Sequence, residues 1–266
     1  MYATHYTKAT SLDDAVAKLG GAEDGKFLGG GQTLLATMKQ RLAAPSDLVD
    51  VTKIPELSGI SRDGDTVTIG AATTHGKVHT SPEVKEAIPA LAYLAGLIGD
   101  PAVRNMGTMG GSIANNDPAA DYPAALMALA ATVHTNKRAL PADEFFTGMF
   151  ETALEDDEIV VRISFPIPEK AAYQKFANPA SRYAMCGVMV AKHRDGSVRV
   201  GVTGAGDGGV FRVPEMEAAL AANWSPDAIA HITVSPDDMI GDLHGSPEYR
   251  AHLVTVMAKR AVAAAG

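Results

Sequence analysis

Apolar positions along this chain recur first with a helical period, then with the period of strands. After Ser11 they fall at Leu12, Ala15, Val16 and Leu19, with acids in the first turn and Gly20-Gly21 behind. This predicts a helix over 11–19 capped by Ser11. Short apolar runs predict strands over 26–28 and 48–51, and clean alternation predicts one over 66–70. Leu34, Leu35, Met38 and Leu42 share one side of a helix over 32–41, and a longer helix over 81–98 starts at Ser81-Pro82. Residues 99–118 have no period and read as an irregular segment rich in Gly, Asn, Asp and Met. A helix over 122–131 and a strand over 159–163 follow, and Pro166 and Pro168 mark a boundary. Beyond it the pattern predicts three antiparallel strands, 173–177, 184–193 and 198–203, the last two joined by a two-residue Asp195-Gly196 turn. Helices over 213–222 and 247–264 complete an α+β chain of two domains.

Composition narrows the function classes. With 266 residues, 46% of them hydrophobic, the chain has room for a large core. A net charge of −8 with scattered Lys and Arg leaves no footprint for nucleic acid. No apolar run suits a bilayer and the polar, aromatic N-terminus is not a secretory signal, so a cytoplasmic protein with no transmembrane segment is expected. The single Cys186 excludes an intrachain disulfide and a thiolate-held cluster, and reads as a small buried hydrophobe. His75 and His79 lack the companions of a zinc site and read as surface or capping residues. Neither a nucleophilic triad nor a paired-carboxylate site is present, so no catalytic or metal-ligating residue is assigned.

Three segments carry chemistry. The first is a strand, then Gly29-Gly30-Gly31-Gln32-Thr33, then a helix. Glycines let the backbone approach a ligand, and the helix start aims amides at an anion. The pattern is neither a P-loop nor the G-x-G-x-x-G fingerprint, since no Gly-Lys-Ser/Thr follows and Leu34 stands at the third glycine. The second segment runs from Arg104 to Asp117, with Gly107, Gly110 and Gly111 beside the hydroxyls of Thr108 and Ser112. The third contains Asp121, placed to cap the helix that follows or to meet a ribose hydroxyl. Two phosphate-shaped loops in one domain suit a diphosphate, as in an adenine dinucleotide.

These segments resemble the FAD-binding medium subunit of the xanthine dehydrogenase and carbon monoxide dehydrogenase family of molybdenum hydroxylases. Leu28-Gly29-Gly30-Gly31-Gln32-Thr33-Leu34-Leu35 resembles that family's first flavin loop, and Gly107-Thr108-Met109-Gly110-Gly111-Ser112 its second. The stretch Asp117 to Leu126 is close to D-P-A-A-D-x-P-A-A-L, and 241–253 resembles the C-terminal signature. The resemblance implies a two-lobed FAD-binding domain over 1–168, with lobes of about 1–55 and 56–168. It also implies a C-terminal domain over 169–266 with a three-stranded antiparallel sheet and helices. It implies that Leu28, Gly29, Gly30, Gly31, Gln32, Thr33 and Leu34 meet FAD, together with Gly107, Thr108, Gly110, Gly111 and Ser112. On this reading, the backbone over 29–34 and 108–112 supplies the donors. Thr73, Thr74 and Asn116 join the set, with Asp121 on a ribose, Tyr183 near the flavin ring and Lys175 favouring a reduced anionic flavin. Residues 134–140 form a shorter hairpin than is usual in the family, away from the diphosphate, and Arg182 stands where an acid is common.

By the same resemblance, a small iron–sulfur subunit carries 2Fe–2S clusters and a large subunit carries the molybdopterin cofactor, in a dimer of heterotrimers. Electrons pass to quinone, NAD or oxygen. The rival readings are a flavin-free assembly subunit and a free-standing flavin oxidoreductase.

Overall fold

The computed structural model describes residues 1–266. Three larger sheets follow one another along the chain, with a fourth formed only by the hairpin of Phe146–Gly148 and Glu151–Thr152. The first is parallel, with Asp47–Asp50 between His5–Lys8 and Gly25–Leu28. Ala15 and Leu19 of the helix Leu12–Gly20 pack beside it, and Ser11 caps that helix by accepting from the Asp14 amide.

The second sheet is antiparallel, in the order Ile60–Asp63, Thr66–Gly70, Val160–Pro166, Thr132–Thr135, Ala139–Pro141. The central strand carries a bulge between Val160 and Arg162, and its alternating side chains serve two cores. Val160 packs with Val67 and Phe165, while Val161 packs with Ile54 and Leu57 of the N-terminal lobe.

The third sheet, Lys170–Ala177, Ala184–Lys192 and Val198–Thr203, has a fourth, two-residue edge strand, Phe211–Arg212. The helix Pro247–Ala265 covers one face. From the other face Tyr173, Met189 and Ala191 join the core of the second lobe. The buried Arg250 donates to the carbonyls of Met185 and Gly204, both at 2.8 Å, and to Asp242 at 2.7 Å. The C-terminal signature is thus a structural tie between helix and sheet.

Four expectations need correction. Residues 99–118 are not irregular: Pro101–Met106 and Met109–Asn115 are helices, capped by the side chains of Asp100 and Thr108. These helices are too short for apolar periodicity to reveal. The helix expected over 81–98 is two helices, Pro82–Ala87 and Pro89–Gly96. Pro89 pushes Ile88 out of helical geometry, to φ −140° and ψ 70°. The turn at Asp195-Gly196 is a three-residue loop over 194–196, closed by His193 N–H donating to the Ser197 carbonyl. Gly196 takes the left-handed bulge position at φ +88°. His75 lies on neither surface nor cap: it is buried at the start of a helix capped by Thr74.

Candidate functional site

A groove of about 390 Å³ runs between the two glycine loops. Its walls include residues 28–34, Gly107, Thr108, Gly111, Ser112, Asp121 and Tyr183. A larger depression of about 670 Å³, in the C-terminal domain along 206–215, contains none of the residues singled out in the sequence.

The loops meet backbone to backbone. A Cβ on Gly30 would stand 2.0 Å from the Met106 carbonyl oxygen and 2.6 Å from Gly107 Cα. No residue but glycine permits that approach. Gly31, at φ +69°, then turns the chain into the helix Leu34–Lys39. The amides of Gly29, Gly30, Gly31, Gln32, Thr33 and Leu34 donate to no acceptor within the protein. Six consecutive N–H groups without a protein acceptor, on the wall of a groove, are donors an anionic ligand could use.

The second loop is spent differently. Met109 N–H donates to Thr73 O at 3.1 Å and Gly110 N–H to Ala71 O at 2.8 Å. Gly111 and Ser112 donate to Thr108 Oγ1 and Thr108 O. Of the donors expected over 108–112, the Thr108 amide alone stays free. A Cβ on Gly110 would stand 2.5 Å from Ala71 Cβ, so this glycine seats the helix Met109–Asn115 on the sheet rather than facing a ligand.

Five predicted residues lie outside the groove wall: Thr73, Thr74, Gly110, Asn116 and Lys175. The Thr73 hydroxyl bonds both the amide and carbonyl of Gly59. Thr74 caps its helix by accepting from Lys77. Asn116, left-handed at φ +42°, donates through Nδ2 to the carbonyls of Gly148 and Glu151, both at 2.8 Å. The Lys175 side chain is 5% exposed, and its Nζ lies 3.0 Å from Asp121. It is therefore no free cation beside a flavin.

Asp121 does not cap its helix through its side chain either. Its carboxylate accepts from Tyr173 Oη at 2.6 Å and from Lys175, which occupies it within the protein. Burial pushes the carboxyl up from its ordinary value, while Lys175 and Tyr173 pull it down. Gly187 leaves room for this arrangement, since a Cβ there would meet Tyr173 Oη at 2.2 Å.

Tyr183 is 55% exposed over the groove. Asn178 shapes its loop: Asn178 Oδ1 accepts from Ala180 and Ser181, Asn178 O accepts from Arg182, and Asn178 N–H donates to Tyr183 O. Arg182 takes φ +63° there. Burial raises the Tyr183 hydroxyl pKa, with Asp117 and Asp121 adding to the shift.

The short hairpin over 134–140 is bound to residues 153–159 and takes no part in the groove. Cys186 is buried, and burial pushes its thiol up to about 12.

Lys26, Phe27, His75, Ile98, Val103 and Asp117 line the groove although sequence reasoning did not select them. Phe27 and Lys26 sit in the strand leading to the first loop, a placement the sequence did show. His75, Ile98 and Val103 arrive by tertiary packing, without a local signal.

Comparison with known proteins places this geometry. A family described as the FAD-binding domain in molybdopterin dehydrogenase matches residues 2–168. The nicotine 6-hydroxylase medium subunit of Paenarthrobacter nicotinovorans is 35% identical, over 99% of this chain and 98% of that one. The carbon monoxide dehydrogenase medium chain of Hydrogenophaga pseudoflava is 35% identical over 98% and 96%. A solved structure of carbon monoxide dehydrogenase from H. pseudoflava superposes with a TM-score of 0.88 at 36% identity, covering 99% of this chain and 97% of that chain.

Proposed function

The chain belongs to the family of FAD-binding medium subunits of molybdopterin dehydrogenases, and we propose that it holds one FAD across its glycine loops and relays electrons from a partner's 2Fe–2S clusters to an external acceptor. The observation that carries this reading is the run of unpaired amides from Gly29 to Leu34. These amides meet a diphosphate with charge-assisted hydrogen bonds. Thr108, whose amide has no acceptor within the protein, lines the same groove from the second loop, which supports donors from both loops. Ile98, Val103 and the Tyr183 ring offer apolar surface to a planar ring.

Bound flavin supplies the redox chemistry, exchanging electrons singly or in pairs. The protein's part is to bind, orient and tune. The family match ends at residue 168, which supports a division there into an FAD-binding domain and a C-terminal domain. The names of the relatives, medium subunit and medium chain, support a place in a multi-subunit complex; in our reading its partners are a small iron–sulfur subunit and a large molybdopterin subunit, in a dimer of heterotrimers. Quinone, NAD or oxygen is the acceptor class. No helix is long and apolar enough to cross a membrane; a cytoplasmic complex is part of the proposal.

The test is a titration of the purified chain with FAD. Quenching of flavin fluorescence at one FAD per chain is expected. A wild-type chain that stays colourless sinks the proposal. Substrate turnover by the isolated chain would favour a free-standing oxidoreductase instead.

A further inference from the structure

Resting on the flavin reading, we infer that His75 is a positioning residue whose imidazole Nε2 hydrogen-bonds an uncharged polar edge in the flavin half of the bound dinucleotide. Three observations meet at this ring. His75 N–H donates to Gly107 O at 2.9 Å, which clamps the residue to the second glycine loop. A Cβ on Gly107 would stand 2.6 Å from His75 Nε2, so that glycine admits the ring to the groove wall. The residue is 5% exposed, and its Nδ1 is sealed without a partner. Nε2 also has no partner within the protein, but unlike Nδ1 it is not sealed.

The surroundings select what Nε2 meets. The ring lies 5.4 Å from the Tyr122 ring, and Ile98 and Val103 line the same groove. Arg104 is held to the carbonyls of Ile98 and Gly99, which places it and Ile98 together beside His75. Burial, then the Arg104 charge, lowers the imidazole pKa to about 4, so the ring is neutral at neutral pH. A neutral imidazole in an apolar stretch suits a carbonyl, hydroxyl or ring nitrogen rather than a phosphate. On the flavin reading, the amides over 29–34, which have no protein acceptor, are the donors for the phosphates. Nδ1 stays sealed with or without a ligand, whereas Nε2, open at the groove and without a protein partner, is the ring atom a bound ligand can use.

The experiment compares wild type with His75→Leu, His75→Gln and His75→Asn, each titrated with FAD and with ADP. ADP shares the adenosine and diphosphate but lacks the flavin. Loss of one hydrogen bond predicts FAD binding about tenfold weaker in His75→Leu, with ADP binding unchanged. The thermal midpoint of the FAD-free His75→Leu chain should equal or exceed that of wild type. Gln places an amide where Nε2 stands and should restore FAD affinity; Asn reaches only the Nδ1 position and should not. His75→Leu binding FAD as tightly as wild type overturns the inference. So does weakening of ADP in step with FAD, or a drop in FAD-free stability, which would mark a structural role. A wild-type chain that takes up no FAD sinks the flavin reading as well, so the two failures are distinguishable.

Discussion

Asp121 stands where a cap or a ribose ligand belongs, yet it lies buried between Tyr173 and Lys175. Removing one partner of such a pair strands a charge. Lys175→Met should cost about 3–5 kcal/mol in urea denaturation, and adding Asp121→Asn should recover part of it. Gly30→Val should drive the loops apart, costing about 1–3 kcal/mol and abolishing flavin binding by absorbance. The acid side of the pH profile also belongs to single residues. His75 has a folded pKa of about 4 against an ordinary 6.5. The folded state therefore binds fewer protons across that window, and stability should fall as pH drops through it. At Glu158 burial alone would raise the pKa, but Arg138, Thr135 and the Glu155 amide together bring it to about 2 from 4.5. Stability should therefore fall again below pH 4.5. Urea midpoints over a pH series would show both losses, and His75→Leu should remove the upper one.

Among the elements, what the sequence reading missed was short, both helices and two- to four-residue strands. Pro101–Met106 and Met109–Asn115 have six and seven residues, too few turns for a periodic signature. Their caps, Asp100 and Thr108, were present as residue types within a segment read as a loop. Asn116 closes the second helix and ties it to the hairpin of Phe146–Gly148 and Glu151–Thr152. Asn116→Ala should cost about 1–3 kcal/mol and speed amide exchange in residues 146–152, while flavin affinity changes little. A large loss of affinity without faster exchange would return Asn116 to the flavin site.

For the whole molecule, the groove is built from loops some 75 residues apart in sequence, counted from Gly31 to Met106. The sheet of the C-terminal domain shares the second lobe's core through Tyr173, Met189 and Ala191. A ligand gripped by both loops should therefore raise the stability of the whole chain. At FAD a hundredfold above Kd the gain should be about 2.7 kcal/mol, read as a shift in the thermal midpoint. A shift confined to one part of a multiphasic transition would show that the lobes unfold independently.

The sequence alone determined seven of the fourteen strands, the long C-terminal helix, the two glycine loops and the family they resemble. Each of these is written in neighbouring residues, as a period, a cap or a backbone that only glycine allows. The tertiary structure decided which amides remain free. Met109 and Gly110 spend theirs on carbonyls at Thr73 and Ala71, more than thirty residues earlier, while the run from Gly29 to Leu34 spends none. It also decided that Lys175 and Asp121 satisfy each other and that His75, whose ring has no hydrogen-bond partner in the protein, lines the groove. Hydrogen-bond partners and burial depend on distant segments meeting, and no local pattern of residues records that encounter.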